Sequence, residues 1–203
     1  MKKFKQVAIM LVAMILILPI FALAGFMVGQ RVLDFTLENT FGHKHSLSQY
    51  KGKYVVLEWI NHDCPFVQKH YNSGHMQSLQ KIYTQRGVVW LSISSSARGK
   101  QGYYEPKEAN QLTQQKRAKP TAVLRDVKGD VGKLYGATTT PHIFIINPDG
   151  ILIYQGAIDN IPSTNLEDIL QATNYVQTVL DAVLSGRKID FFSTKSYGCS
   201  IKY

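Results

Sequence analysis

The sequence predicts an α/β domain, a mixed sheet carrying helices on both faces. Three observations lead to that class. Tyr54 to Ile60 and Val88 to Ser94 are continuous apolar, β-branched runs of the kind buried strands need, and the residues between them follow helical spacing. Asn147-Pro148-Asp149-Gly150, set between two further apolar runs, is a strong hairpin turn signal. An amphipathic stretch from Leu166 to Leu184 then closes the pattern.

The elements follow in order. Residues 31–50 predict short strands around a turn at Asn39 and Gly42, an N-terminal β extension to the sheet. Pro65 to about Arg86 predicts one helix, with Val67, Tyr71, Met76, Leu79, Ile82 and Tyr83 on its apolar side and Gly87 at its end. After the Val88 to Ser94 strand comes a polar loop over 95–106, then a helix over Lys107 to Lys116. Ala122 to Leu124 predicts a short strand, and Gly129 to Tyr135 a short helix stopped by Gly136. His142 to Ile146 and Ile151 to Gln155 form the hairpin. Leu166 to Leu184 predicts the last helix, and residues 187–203 a polar tail. This divides the chain into a leader over 1–24, a domain over 25–185 and a tail over 186–203 that carries Cys199.

Composition narrows the function class. With 203 residues, 45% hydrophobic and 18% charged, the chain can bury a sizeable core and is not disordered in type. The net charge is +9, and Lys2, Lys3 and Lys5 supply three of those charges. The rest is spread too thinly to predict a nucleic-acid partner. Residues 1–6 form a basic head, and Val7 to Ala24 is uninterruptedly apolar, ending in Ala22-Leu23-Ala24 before Gly25. That pattern predicts an export signal cleaved after Ala24. An uncleaved membrane anchor is the alternative, because Gly25 to Val28 extends the apolar run. Either way the expected location is outside the cytoplasm, in an oxidising periplasm.

The chemistry centres on Cys64, in Asn61-His62-Asp63-Cys64-Pro65-Phe66-Val67, where a core strand gives way to a helix. A thiol at a helix start faces unpaired backbone N–H groups and the positive end of the helix dipole, which favour thiolate. Pro65 suits the first turn because it has no N–H to leave unpaired. Asp63 opposes ionisation by its charge, or caps the helix with its side chain. A protonated His62 would favour the thiolate. Glu58 breaks the apolar pattern of its strand, and it reads either as a buried proton acceptor or as an acid facing solvent or a lysine.

These residues resemble the thioredoxin-fold superfamily in its peroxiredoxin-like, or redoxin, branch. YVVLEWINHDCPF, Thr140-Pro141 before the 142–146 strand, and NPDGILIYQGAID carry the resemblance, which covers roughly residues 28–185. It implies a central mixed sheet, a nucleophilic Cys64 and a cis Pro141 lying against it. It also implies a proton-relaying Glu58, six residues before the cysteine. Two features depart from the family pattern. Val67 stands where thioredoxins place their second cysteine, and Leu57 and Asn61 stand where peroxiredoxins place Pro and Thr. Asn61, His62 and Thr140 are the expected supporting residues, with Arg125 (or Arg98) the candidate to hold the thiolate.

Cys199, in Tyr197-Gly198-Cys199-Ser200, is the only other cysteine. It resolves Cys64, forms a fixed disulfide with it, or stays unpaired. The expected activity is that of an exported thiol-dependent oxidoreductase acting on a thiol or disulfide protein, or on a small peroxide, without a cofactor. Two alternatives come from other classes. One is a copper-binding chaperone using Cys64, His62 and His142, and the other a non-catalytic envelope binding module. Loop 95–106, with Tyr103 and Tyr104, is the expected rim of the site.

Overall fold

The computed structural model describes residues 25–203, so the expected leader lies outside the described residues. The first strands are β1 (Thr36–Asn39) and β2 (Lys44–Ser46), paired antiparallel as a hairpin. The central strand β3 (Val55–Trp59) is buried at every position. Its apolar character, broken only by Glu58, follows from being covered on both faces. Val55, Leu57 and Trp59 enter one core with Leu91, Ile93, Tyr135 and Phe144. Val56 enters the other with Trp90, Ile143, Ile145 and the helix residues Val67, Tyr71 and Leu79.

The stretch expected as one helix over 65–86 is two, α1 (Pro65–Asn72) and α2 (His75–Gln85). Gly74 has φ of 76°, a left-handed value that glycine tolerates and that breaks the helix between them. Apolar spacing survives the break because both helices turn the same side to the sheet. β4 (Val89–Ser94), α3 (Pro106–Gln115), β5 (Ala122–Arg125) and α4 (Asp130–Tyr135) follow within a residue or two of expectation. Next come β6 (Thr139–Thr140), β7 (His142–Ile146) and β8 (Leu152–Gly156).

The expected helix over 166–184 is also interrupted. Residues 166–170 form a 3-10 turn, and the α-helix proper, α5, is Tyr175–Leu184. The Asn174 side chain accepts from the Gln177 N–H at 2.7 Å and starts α5 anew. Leu170, 93% exposed, shows that the first segment is not part of the buried face.

Eight strands form one sheet in the order β2-β1-β5-β4-β3-β7-β8-β9, where β9 (Phe192–Ser193) comes from the tail. The β3–β4, β4–β5 and β8–β9 pairs are parallel and the others antiparallel. A second tail strand, β10 (Cys199–Ser200), pairs antiparallel with β6 in a separate two-stranded sheet, setting Cys199 opposite Thr140. This is a thioredoxin-like fold, and it brings the end of β3, the start of α1, the β6–β7 turn and β10 together. Among the described residues, no helix is long and apolar enough to cross a membrane.

Candidate active site

Cys64 is the N-cap of α1, in extended conformation, with Pro65 opening the helix. Its N–H donates to the Asn61 carbonyl at 3.0 Å, closing the turn from β3. The Asn61 Oδ1 accepts from the Asp63 N–H at 2.9 Å and stiffens the same turn. Asp63 does not cap the helix. Its carboxylate accepts from the Gly102 N–H at 3.2 Å and meets the Tyr104 hydroxyl, tying the 95–105 loop to the site. Gly102 is needed there, because a Cβ would lie 2.6 Å from Asn61 Cγ.

The Cys64 side chain is fully buried. Its thiol donates to the Thr140 carbonyl at 3.0 Å and accepts from the Cys199 N–H at 3.4 Å. The Thr140–Pro141 peptide bond is cis. Both cysteines are free thiols. Burial pushes the Cys64 thiol up. The Cys199 thiol, the Val67 and Cys199 backbone N–H groups and Thr140 outweigh it, so the net shift is downward. Burial, with Cys64 beside it, pushes the Cys199 thiol up to about 11. The two sulfurs are therefore unequal. Cys64 is the group disposed to ionise, and Cys199 keeps its proton at neutral pH.

Glu58 is fully buried, which rules out the solvent-facing alternative. Its Oε1 accepts from the Tyr71 hydroxyl at 2.9 Å. Its Oε2 accepts from Trp90 Nε1 at 2.7 Å, Ser92 Oγ at 2.8 Å and Gln80 Nε2 at 3.1 Å. Burial raises its pKa in spite of these four donors.

Other expected residues stand elsewhere or in other states. Burial, then the Lys116 charge, push His62 down to about 4 against the pull of Asp63, so it is neutral at pH 7 and lends the thiolate no charge there. Its ring stands edge-on to Tyr71, with centroids 5.2 Å apart. His142 is likewise pushed down to about 4 by burial, and its Nδ1 accepts from the Thr138 N–H. Cys64, His62 and His142 do not assemble into a metal site: among the described residues no group of three His, Cys, Asp or Glu side chains could hold an ion. Arg125 is held by loop 95–105, donating to the Tyr103 hydroxyl at 3.3 Å and the Tyr104 carbonyl at 3.4 Å. Arg98 pairs with Glu105 at 3.0 Å. Neither is among the groups acting on the Cys64 thiol, because the loop's own acid and aromatic rings engage both.

Sequence reasoning passes over a buried polar cluster beneath the tail. Lys69, His70 and Asp159 are each at most 2% exposed, and Tyr197 reaches them from the segment just before Cys199. The available signal is Asp159 at the end of the apolar run ILIYQGAID, an acid placed where burial is expected.

The fold and a helix-start cysteine facing a cis-proline turn define the redoxin class. The chain belongs to the AhpC/TSA family, which it matches over residues 28–155. It is 27% identical over 123 residues to the thiol-disulfide oxidoreductase ResA of Geobacillus kaustophilus (strain HTA426), covering 61% of this chain and 65% of that protein. The chain thus matches just under two thirds of that relative's length. Among solved structures, an uncharacterized conserved protein from Geobacillus kaustophilus is 27% identical with a TM-score of 0.73, over 88% of this chain and 93% of the other. A hypothetical protein from Sinorhizobium meliloti 1021 superposes with the same TM-score of 0.73 at 22% identity, over 88% of this chain and 96% of the other. This last likeness is one of fold.

Proposed function

We propose that the protein is an exported thiol–disulfide oxidoreductase in which Cys64 attacks and Cys199 resolves. The observation that carries this reading is the pairing of β10 with β6, which lays the second thiol over the first with the Cys199 N–H 3.4 Å from the Cys64 sulfur. The likeness to ResA supports the same chemistry.

The Cys64 thiol loses its proton and the thiolate attacks one sulfur of a partner's disulfide. The partner's S–S bond breaks, its second sulfur leaves as thiolate, and a mixed disulfide joins Cys64 to the partner. Cys199 then loses its proton and attacks the Cys64 sulfur. The partner's first sulfur departs, leaving a Cys64–Cys199 disulfide. Two electrons pass to the partner, and its two thiolates take up the two protons. Run backwards, the same steps oxidise a dithiol. Glu58 acts as a proton acceptor on the face of β3 that packs against α1, and cis Pro141, with Thr140, shapes the surface over Cys64. The neutral His62 and the Asn61 turn hold the loop that carries it.

Family membership also supports peroxide as the oxidant of the same thiol. There the thiolate would take an oxygen, becoming sulfenic acid and releasing an alcohol, and Cys199 would displace water. Asn61 in place of Thr, and no arginine acting on the thiol, favour disulfide exchange. The basic head and apolar stretch before Gly25 support export to the periplasm, with membrane anchoring where the leader is retained. The partner is a thiol or disulfide protein of that compartment.

Mixing the reduced protein with disulfide-bonded insulin tests the reading. The expected outcome is loss of two thiols per chain and none from Cys64→Ser, with Cys199→Ser accumulating a mixed disulfide. Equal activity in Cys199→Ser and wild type would exclude Cys199 as the resolving thiol.

A further inference from the structure

We infer that Tyr197, Asp159 and Lys69 form a buried clamp that positions Cys199 over Cys64. The inference rests on the resolving role of Cys199 and names what sets it. β10 is only two residues long. Beyond it the tail is tied down by the Ile201 N–H on the Thr138 carbonyl at 3.1 Å and the Tyr203 hydroxyl on the Ala137 carbonyl at 2.6 Å, and well before it Thr194 bonds Tyr154 and Ala157. Between Thr194 and Cys199, short backbone pairing is a weak hold on a segment that must deliver a thiol. The structure adds a stronger one two residues upstream.

The Tyr197 hydroxyl donates to Asp159 Oδ1 at 2.5 Å, and the Ile161 N–H donates to the same oxygen at 3.0 Å. Asp159 Oδ2 lies 3.5 Å from the Lys69 ammonium, and both side chains are essentially sealed from solvent. Lys69 also donates to the Ile161 carbonyl at 3.0 Å. His70 approaches Oδ2 at 3.8 Å, but burial first of all drives its pKa down to about 3, so Lys69 is the cation that faces the acid. A hydroxyl bonded to a buried carboxylate with a cationic partner holds more firmly than one bonded to a neutral acceptor. The Tyr197 ring stands edge-on to Phe66, centroids 5.7 Å apart. Phe66 follows Cys64 by two residues, and Tyr197 precedes Cys199 by two. One side chain thus fixes the tail against the same helix turn that carries the nucleophile.

Lys69 and Asp159 lie on α1 and just after β8, so the clamp also couples the tail to the core on which the site is built. Nothing in the attack on a partner uses these groups. Their position fits the second step, where Cys199 must lie in line with the Cys64–partner bond as its proton is lost and the partner's sulfur departs.

Tyr197→Phe removes the hydroxyl and keeps the ring on Phe66, and Asp159 keeps its bonds to Ile161 and Lys69. The test is the equilibrium of the Cys64–Cys199 pair with reduced and oxidised glutathione, read together with hydrogen exchange at the Cys199 and Ile201 amides. Tyr197→Phe should lower the effective concentration of Cys199 toward Cys64 about tenfold, equivalent to about 1.4 kcal/mol. Both amides should exchange faster, with the thermal midpoint little changed. An unchanged glutathione equilibrium in a wild type that does form the disulfide overturns the clamp and leaves the resolving reading standing. Failure of the wild type to form any intramolecular disulfide overturns the resolving reading. The exchange data then judge the clamp alone: faster exchange in the variant supports it as a tail anchor, and equal exchange overturns it.

Discussion

Glu58 is a carboxyl with four donors and no solvent, and its protonation is set by the contest between them. Burial wins, so its pKa is raised above the ordinary 4.5. A raised folded-state value means that the folded chain holds the proton longer than the unfolded chain. Glu58 therefore contributes most below the unfolded value, and that contribution is lost as pH rises through the folded one. Glu58→Gln removes this dependence. Its amide oxygen can face Trp90, Ser92 and Gln80, and its amide nitrogen can donate to the Tyr71 oxygen. The variant is expected to keep its fold and to gain stability relative to wild type on going from pH 4 to pH 8. Urea denaturation across that range reads the difference. A constant difference would place the folded-state proton affinity of Glu58 at its ordinary value. In the sequence, the acid in an apolar strand identifies the residue. It does not distinguish solvent from a buried network, because the donors come from positions up to 34 residues away.

At the scale of elements, the decisive pieces are small. Gly198 has φ of 131°, and a Cβ there would lie 2.1 Å from the Thr140 carbonyl oxygen. Only a glycine lets β10 approach β6 this closely. Gly198→Ala, made with Cys199→Ser so that one thiol remains, is expected to lift β10 and expose Cys64. A non-glycine residue held there costs about 1–3 kcal/mol, which predicts alkylation of Cys64 about 10- to 100-fold faster than in Cys199→Ser alone. Equal rates would show that β10 does not shield the thiol. The long strands and the hairpin are legible in the sequence because their periodicity and turn residues are local. The break at Gly74 and the restart at Asn174 are not, since apolar spacing continues across both. β6, β9 and β10, two residues each, are too short to leave a pattern, so the tail's docking is decided by contacts distant in sequence.

At the scale of the molecule, the described residues form a redoxin sheet with the C-terminal segment folded back over Cys64. The Cys64–helix junction was legible because strand, cysteine and proline are consecutive. The companion thiol, 135 positions away, was legible only as a possible pair, and the clamp that holds it not at all. Tail, α1 and the β6–β7 turn converge because the sheet order puts β3 beside β7 and leaves β6 free to pair with β10. On the proposed function, one chain carries a reversible dithiol made of Cys64 and Cys199. Peptide mapping under non-reducing conditions, after titration with oxidised glutathione, tests it most directly. The expected outcome is a single linked pair of peptides, one containing Cys64 and the other Cys199, within a monomeric chain and fully released by dithiothreitol. Finding both cysteines as free thiols or separate glutathione adducts, or joined only between chains, would contradict it.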